Sequence, residues 1–223
     1  MNKFIAFNFF FAFFMATSIY VGFAQNAVKP PPSFSKVTSL TGEAKQEKLN
    51  QTEAYLNTLQ TFAARFEQTV EGGHPSSGTF YFKKPGKFLW SYLKPDPAKL
   101  VSSGGTIYFH DETANQTTQV PRKGLADFLT KEEIRLNDKN FSVENVFLKG
   151  GLLYLTLKIK DVAEGDIGGQ LQLTFIQDPP QLRQITTINQ MGQSVEVLFY
   201  NIKENQPIPD DVFKFVPFHY QER

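Results

Sequence analysis

The side chains that could do chemistry are few and badly placed for it. The three histidines, His74, His110 and His219, lie far apart, in or beside predicted turns and in the C-terminal tail. None has the His-x-x-x-His or neighbouring-Glu spacing that a metal site needs, so each reads as a solvated loop residue. Ser76-Ser77 and Ser102-Ser103 have glycines nearby but lack the Gly-x-Ser-x-Gly elbow of a serine hydrolase. Gly104-Gly105, Gly150-Gly151 and Gly168-Gly169 read as hairpin punctuation, because none opens a helix after a strand with a lysine placed for phosphate. Glu132-Glu133 and Asp210-Asp211 are adjacent pairs that point in different directions and form no acid/base dyad. The chain has no cysteine, which removes disulfides, thiolate catalysis, zinc ribbons and a cysteine-linked lipid anchor together. No enzyme activity, cofactor or metal is expected.

Surface charge offers little more. With 23 Lys+Arg against 22 Asp+Glu and no basic cluster, the chain lacks the field on which nucleic-acid binding rests. What is abundant is aromatic carbon, in 23 phenylalanines, and the elements that carry it have to be placed.

The first 24 residues stand apart. They hold one charged side chain, Lys3, an apolar run from Phe4 to Phe14, and the small-x-small pattern Gly22-Phe23-Ala24. This pattern reads as a cleaved secretory signal peptide, with an uncleaved anchor helix as the alternative, since apolar character persists to Val21. Residues 25–44 are polar, contain Pro30-Pro31-Pro32, and read as an extended linker. Removal of the leader leaves a neutral, exported and soluble chain whose folding is indifferent to redox state. One domain is expected over 45–218, followed by a short tail, 219–223.

From near Lys45, Leu49, Thr52, Leu56 and Leu59 recur at three- and four-residue steps and predict an amphipathic helix ending near Gln60. The period then becomes two. Phe62, Ala64 and Phe66 alternate with Thr61, Ala63, Arg65 and Glu67, Phe80 and Phe82 with Thr79, Tyr81 and Lys83, and Phe88 and Trp90 with Leu89 and Ser91. Gly72-Gly73 with Pro75, and Lys84-Pro85-Gly86, supply links so short that the strands must be antiparallel. Further strands are predicted at 99–102, 106–110, 116–120, 141–148, 152–159, 170–176, 182–188 and 194–202, with an extended terminal segment at 213–216. Between the first and second halves, Leu125, Phe128 and Leu129 at helical spacing, and a Thr130–Glu133 capping box ahead of Ile134, predict one or two short helices.

The expected fold is mainly β (α+β), an antiparallel sheet of ten or eleven strands that curls. Eight strands make a barrel that side chains nearly fill, and further strands widen it. Periodicity alone does not separate a filled aromatic core from a lined cavity. Strand number favours an apolar concavity with two or three helices as its lid.

The run from Leu56 to Gln68, the stretch Ser77–Tyr92 with its Lys84-Pro85-Gly86-x-Phe88-x-Trp90-x-Tyr92 core, Leu100-Val101-Ser102 with Gly105-Thr106 and Tyr108, and the ending Asp210–Pro217 together resemble the outer-membrane lipoprotein carrier family, LolA. The resemblance implies an unclosed, strongly curved antiparallel half-barrel covered by helices over a cavity for acyl chains. It also implies a periplasmic carrier, monomeric, that takes acylated lipoproteins from an inner-membrane ABC transporter to an outer-membrane acceptor lipoprotein. A LolA-like lipid or glycolipid shuttle or envelope sensor would share this fold. Carried over by position, Phe62, Phe66, Phe80, Phe82, Phe88 and Trp90 would line the sheet side. Leu56, Leu59, Leu125, Phe128 and Leu129 would belong to the helical cover. Where the family often has an arginine that fastens the lid, this chain has Lys84, which lacks the planar fork that bonds several carbonyls at once.

Overall fold

The computed structural model describes residues 36–71, 73–93, 96–103, 105–122, 124–160 and 169–215. The signal-peptide reading, most of the proline-rich segment, Val216, His219 and the C-terminal tail fall outside them.

Twelve strands form one antiparallel sheet in the order β1-β8-β9-β10-β11-β12-β2-β3-β4-β5-β6-β7. Short strand β1 (Val37–Ser39) and helix α1 (Gly42–Thr58) come first. The chain then enters the middle of the sheet at β2 (Thr61–Val70) and steps outward through β3 (Ser76–Lys83), β4 (Lys87–Tyr92), β5 (Ala98–Ser103), β6 (Thr106–Asp111) and β7 (Gln116–Val120). Helix α2 (Gly124–Thr130) and the segment after it carry the chain across to the other half. There β8 (Phe141–Lys149), β9 (Leu152–Ile159), β10 (Gly169–Ile176), β11 (Gln181–Asn189) and β12 (Ser194–Glu204) return to the middle, where β12 pairs with β2. Among the described residues β1 and β7 are the two edges and do not pair with each other, so the sheet is unclosed.

The eleven strands read from alternation correspond to β2–β12. The twelfth, β1, lies in what reads as linker: Val37, Thr38 and Ser39 pair with Lys149, Leu148 and Phe147, and the Leu40 amide bonds the Val146 carbonyl at 2.9 Å. Helix α1 accordingly starts at Gly42, before Lys45. A second short helix after Thr130 does not form. The Thr130 hydroxyl bonds backwards to the carbonyls of Ala126 and Asp127, so it closes α2 instead of capping a new helix. At the C-terminus Asp210–Phe213 form a 3-10 turn laid on the outer face, and Lys214 and Phe215 follow it outside any strand, Lys214 with extended backbone. Lys83 and Lys87 hold the turn there through Asp210, at 2.6 and 2.9 Å.

One apolar cluster runs through nearly every strand and both helices. Because side chains alternate across each strand, the residues that enter it define the inner face: Phe62, Ala64 and Phe66 of β2, Phe80 and Phe82 of β3, Phe88 and Trp90 of β4, and Val195, Val197 and Phe199 of β12.

Candidate functional site: the covered apolar face

Cross-strand register builds the inner face. Ala64, Phe80, Trp90 and Leu100 lie opposite one another across β2–β5, and Phe62, Phe82 and Phe88 form the next row. Trp90 stands in the middle, its ring 4.7 Å from Phe80, 5.6 Å from Phe66 and 6.2 Å from Phe199, in the tilted and edge-on arrangements that aromatic quadrupoles favour. Gly78 makes this packing possible. A Cβ there would stand 2.8 Å from the Phe66 ring and 2.0 Å from the Ser91 carbonyl oxygen, so only glycine lets the ring lie across β3. Tyr92 closes the row by donating its hydroxyl to Gln68 Oε1 at 2.8 Å, and burial pushes its phenol well above the ordinary range.

The cover has two parts. Helix α1 turns Leu49, Thr52 and Leu56 inward, and Leu59 follows it. The second part is α2, with Phe128 and Leu129 buried and Leu125 packed against the cluster, continued by Ile134 and Leu136. Phe128 meets Phe141 of β8 edge to face at 5.7 Å.

Polar fasteners surround the cover. Lys84, in the β3–β4 turn, donates to the Leu56 carbonyl at 3.1 Å and reaches Asn57 Oδ1 at 3.4 Å. The last turn of α1 has no basic residue of its own. Lys84 therefore brings a cation from outside to the carbonyls a helix end leaves unsatisfied. Burial lowers the Lys84 ammonium from its usual value, with Glu133 opposing that shift. On the far side, Tyr55 donates to Glu204 at 2.7 Å and accepts from the Leu182 amide at 3.0 Å, tying α1 to β11 and β12. Burial is the main reason its phenol is raised, with the backbone bond to Leu182 opposing and Glu204 adding to it. A cleft of about 690 Å³ runs along this edge between Tyr55, Thr58, Pro179 and Pro180.

Ten of the eleven apolar residues singled out from the sequence are buried in this one cluster, and Leu125 lies at its margin. The concavity is not an open cup: Phe66, Phe88 and Trp90 are each 0 % exposed, because the two helical segments and neighbouring aromatics already cover them. Sequence reasoning missed Phe199, Ile134 and Leu136. It also misjudged His110, which is buried on β6, bonded to Thr117 and set at a tilt 5.5 Å from the Phe215 ring on the outer face. Among the described residues no cluster of His, Asp or Glu could hold a metal ion, and no helix is long and apolar enough to cross a membrane.

Fold and site together define a class: an open antiparallel sheet curled around an apolar face, with two helical segments for a cover. Residues 57–216 match the family model described as outer membrane lipoprotein carrier protein LolA, and the chain belongs to that family. It is similar to the outer-membrane lipoprotein carrier protein of Methylococcus capsulatus, at 30 % identity over 174 residues, 74 % of this chain and 81 % of that one. The protein of the same name from Legionella pneumophila (strain Corby) is 30 % identical over 172 residues, 73 % of this chain and 82 % of that one. Among solved structures, a LolA superfamily protein from Nitrosomonas europaea aligns with 76 % of this chain and 97 % of that chain, at 9 % identity and a TM-score of 0.39.

Proposed function

We propose that this protein is a periplasmic carrier that takes up the acyl chains of lipoproteins against its inner aromatic face. It would receive them from an inner-membrane ABC transporter and pass them to an acceptor lipoprotein at the outer membrane. The observation that carries the reading is the placement of Trp90, at the centre of an aromatic sheet face and sealed under a cover made of two short segments. The polar fasteners of that cover lie at its edges.

The energetics suit transfer. Moving hydrocarbon from bilayer to water costs ~0.8 kcal/mol per CH₂, so three chains of about sixteen carbons represent on the order of 38 kcal/mol. Non-covalent affinities saturate near ~18–21 kcal/mol. A site that recovered the full amount would never let go. A cover that itself fills the aromatic face limits the recovery, because incoming chains must displace side chains already buried there.

Trp90 is the chain's only tryptophan, and it supplies the test. A lipopeptide with brominated acyl chains quenches Trp90 fluorescence by contact, while its unbrominated twin binds without quenching. Binding without a difference between the two places the acyl chains elsewhere and refutes the reading. A phospholipid that competes as well as the lipopeptide would assign the site to a lipid shuttle.

A further inference from the structure

The two parts of the cover are joined to each other by side chains of α1, and the geometry points to Asn57 as the positioning residue that makes them move as one body. Resting on the reading of these segments as a lid, the inference adds a role for Asn57 that Lys84 does not share.

The Asn57 amide behaves as an extra peptide group. Its Oδ1 accepts from the Ile134 N–H at 2.8 Å, and its Nδ2 donates to the Ile134 carbonyl at 2.9 Å, closing a two-bond ring with one residue of the second segment. One turn earlier, Glu53 Oε1 accepts from the Leu136 N–H at 2.7 Å. Residues four apart on a helix share a face and stand ~6 Å apart along its axis, and two residues of non-helical chain span up to ~7 Å. Glu53 and Asn57 therefore read alternate backbone groups of residues 134–136 in step. The segment has no strand or helix of its own, yet Ile134 and Leu136 are buried, so α1 provides partners that regular structure would otherwise supply. The hydrogen bonds of Lys84 go only to the helix side of this junction, to the Leu56 carbonyl and, more distantly, Asn57 Oδ1, while Glu133 of the second segment acts on it through space without a hydrogen bond.

Loss of the Asn57 amide would strand a buried N–H and a buried C=O on Ile134, whereas loss of the Lys84 ammonium would strand neither. Lys84 thus pins the lid to the sheet, and Asn57 pins the lid to itself.

Hydrogen exchange on the cargo-free full chain separates these roles. In Asn57→Ala, exchange at the Ile134 and Leu136 amides is expected to accelerate at least tenfold, with the β2–β4 amides unchanged. In Lys84→Met the same two amides should change less than threefold, while amides in the last turn of α1, where Lys84 caps the Leu56 carbonyl, exchange faster. Asn57→Leu keeps a similar side-chain volume but has neither donor nor acceptor and should exchange at Ile134 as fast as Asn57→Ala, which a loss of packing alone would not predict. Equal acceleration in Asn57→Ala and Lys84→Met, or none in Asn57→Ala, overturns the inference. Because no cargo is present, either result leaves the acyl-quenching experiment to stand or fall by itself.

Discussion

Phe199→Ala tests whether hydrocarbon occupies the inner face. Phe199 is fully buried, with rings of Phe62 and Phe80 each at 5.5 Å and Trp90 at 6.2 Å, so its removal opens a void with little freedom to collapse. Phe→Ala in such a setting costs ~3–5 kcal/mol. In a domain of this size ~1 kcal/mol corresponds to ~2–4 °C, so the melting temperature should fall by roughly 6–20 °C. The discriminating measurement is the effect of a long-chain acyl ligand. If chains enter beside Phe199, methylenes that fill the void recover ~0.8 kcal/mol each. The ligand should then raise the melting temperature of the variant by several degrees more than that of the wild type. Differential scanning calorimetry with and without a palmitoylated peptide reads this directly. An equal ligand-induced shift in both proteins would mean that acyl chains never visit the Phe199 region, and the argument for the inner face would fail.

Two further outcomes follow from individual contacts. Gly78→Ala forces its methyl into the Ser91 carbonyl and the Phe66 ring, which separates β3 from β4; a loss of about 3 kcal/mol or more in urea unfolding is expected. The exposed Asp210 carboxyl is depressed to about 2 by hydrogen bonds from Lys83 and Lys87. A carboxylate with a lowered folded-state pKa adds its stabilisation above the unfolded value, ~3.9, and loses it as pH falls through the folded one. The C-terminal 3-10 segment should therefore loosen from the outer face between about pH 4 and 2, read as faster proteolysis or amide exchange over residues 206–215. Lys83→Met/Lys87→Met should move that transition to the ordinary carboxylate range.

How far the sequence reveals this molecule depends on which residues report their surroundings locally. In β2–β4 Phe62, Ala64, Phe66, Phe80, Phe82, Phe88 and Trp90 fall at every second position, and except at Ala63 and Leu89 the residues between and beside them carry a polar group, so the face they share is visible in the alternation itself. In β12 the run Val197-Leu198-Phe199-Tyr200 is apolar on both sides, and the signal that would single out Phe199 is lost. Its placement depends on the β12–β2 pairing, between residues more than a hundred positions apart. Ile134 and Leu136 carry no period because side chains of α1, not a ladder, satisfy their backbone. The Thr130–Glu133 pattern fits a capping box equally well and misleads. For His110 the strand was legible and the burial was not, since part of its environment is Phe215, from the other end of the chain, on the convex face.

A covered face also constrains how the proposed carrier could be loaded. Lifting the cover into water would expose Leu49, Leu56, Leu59, Phe128, Leu129, Ile134 and Leu136. At ~1.5–3 kcal/mol for each such side chain, opening would cost roughly 10–20 kcal/mol, before the aromatic face beneath is counted. At ~1.4 kcal/mol per factor of ten, even the lower figure leaves about one open molecule in ten million. The polar fasteners at Lys84, Asn57 and Tyr55 add only ~0.5–1.5 kcal/mol per neutral hydrogen bond and somewhat more for the ammonium. They cannot be what keeps the lid shut; the apolar contact does that. Their use is in where and how the lid yields. Opening ahead of cargo is thus strongly disfavoured, and the proposed carrier would load most readily where hydrocarbon replaces the lid side chains as they leave. A Phe88→Glu or Trp90→Glu variant would not isolate acyl binding for the same reason: in the closed state it would bury an unpaired carboxylate at the centre of the sheet and unfold the protein before cargo was ever presented.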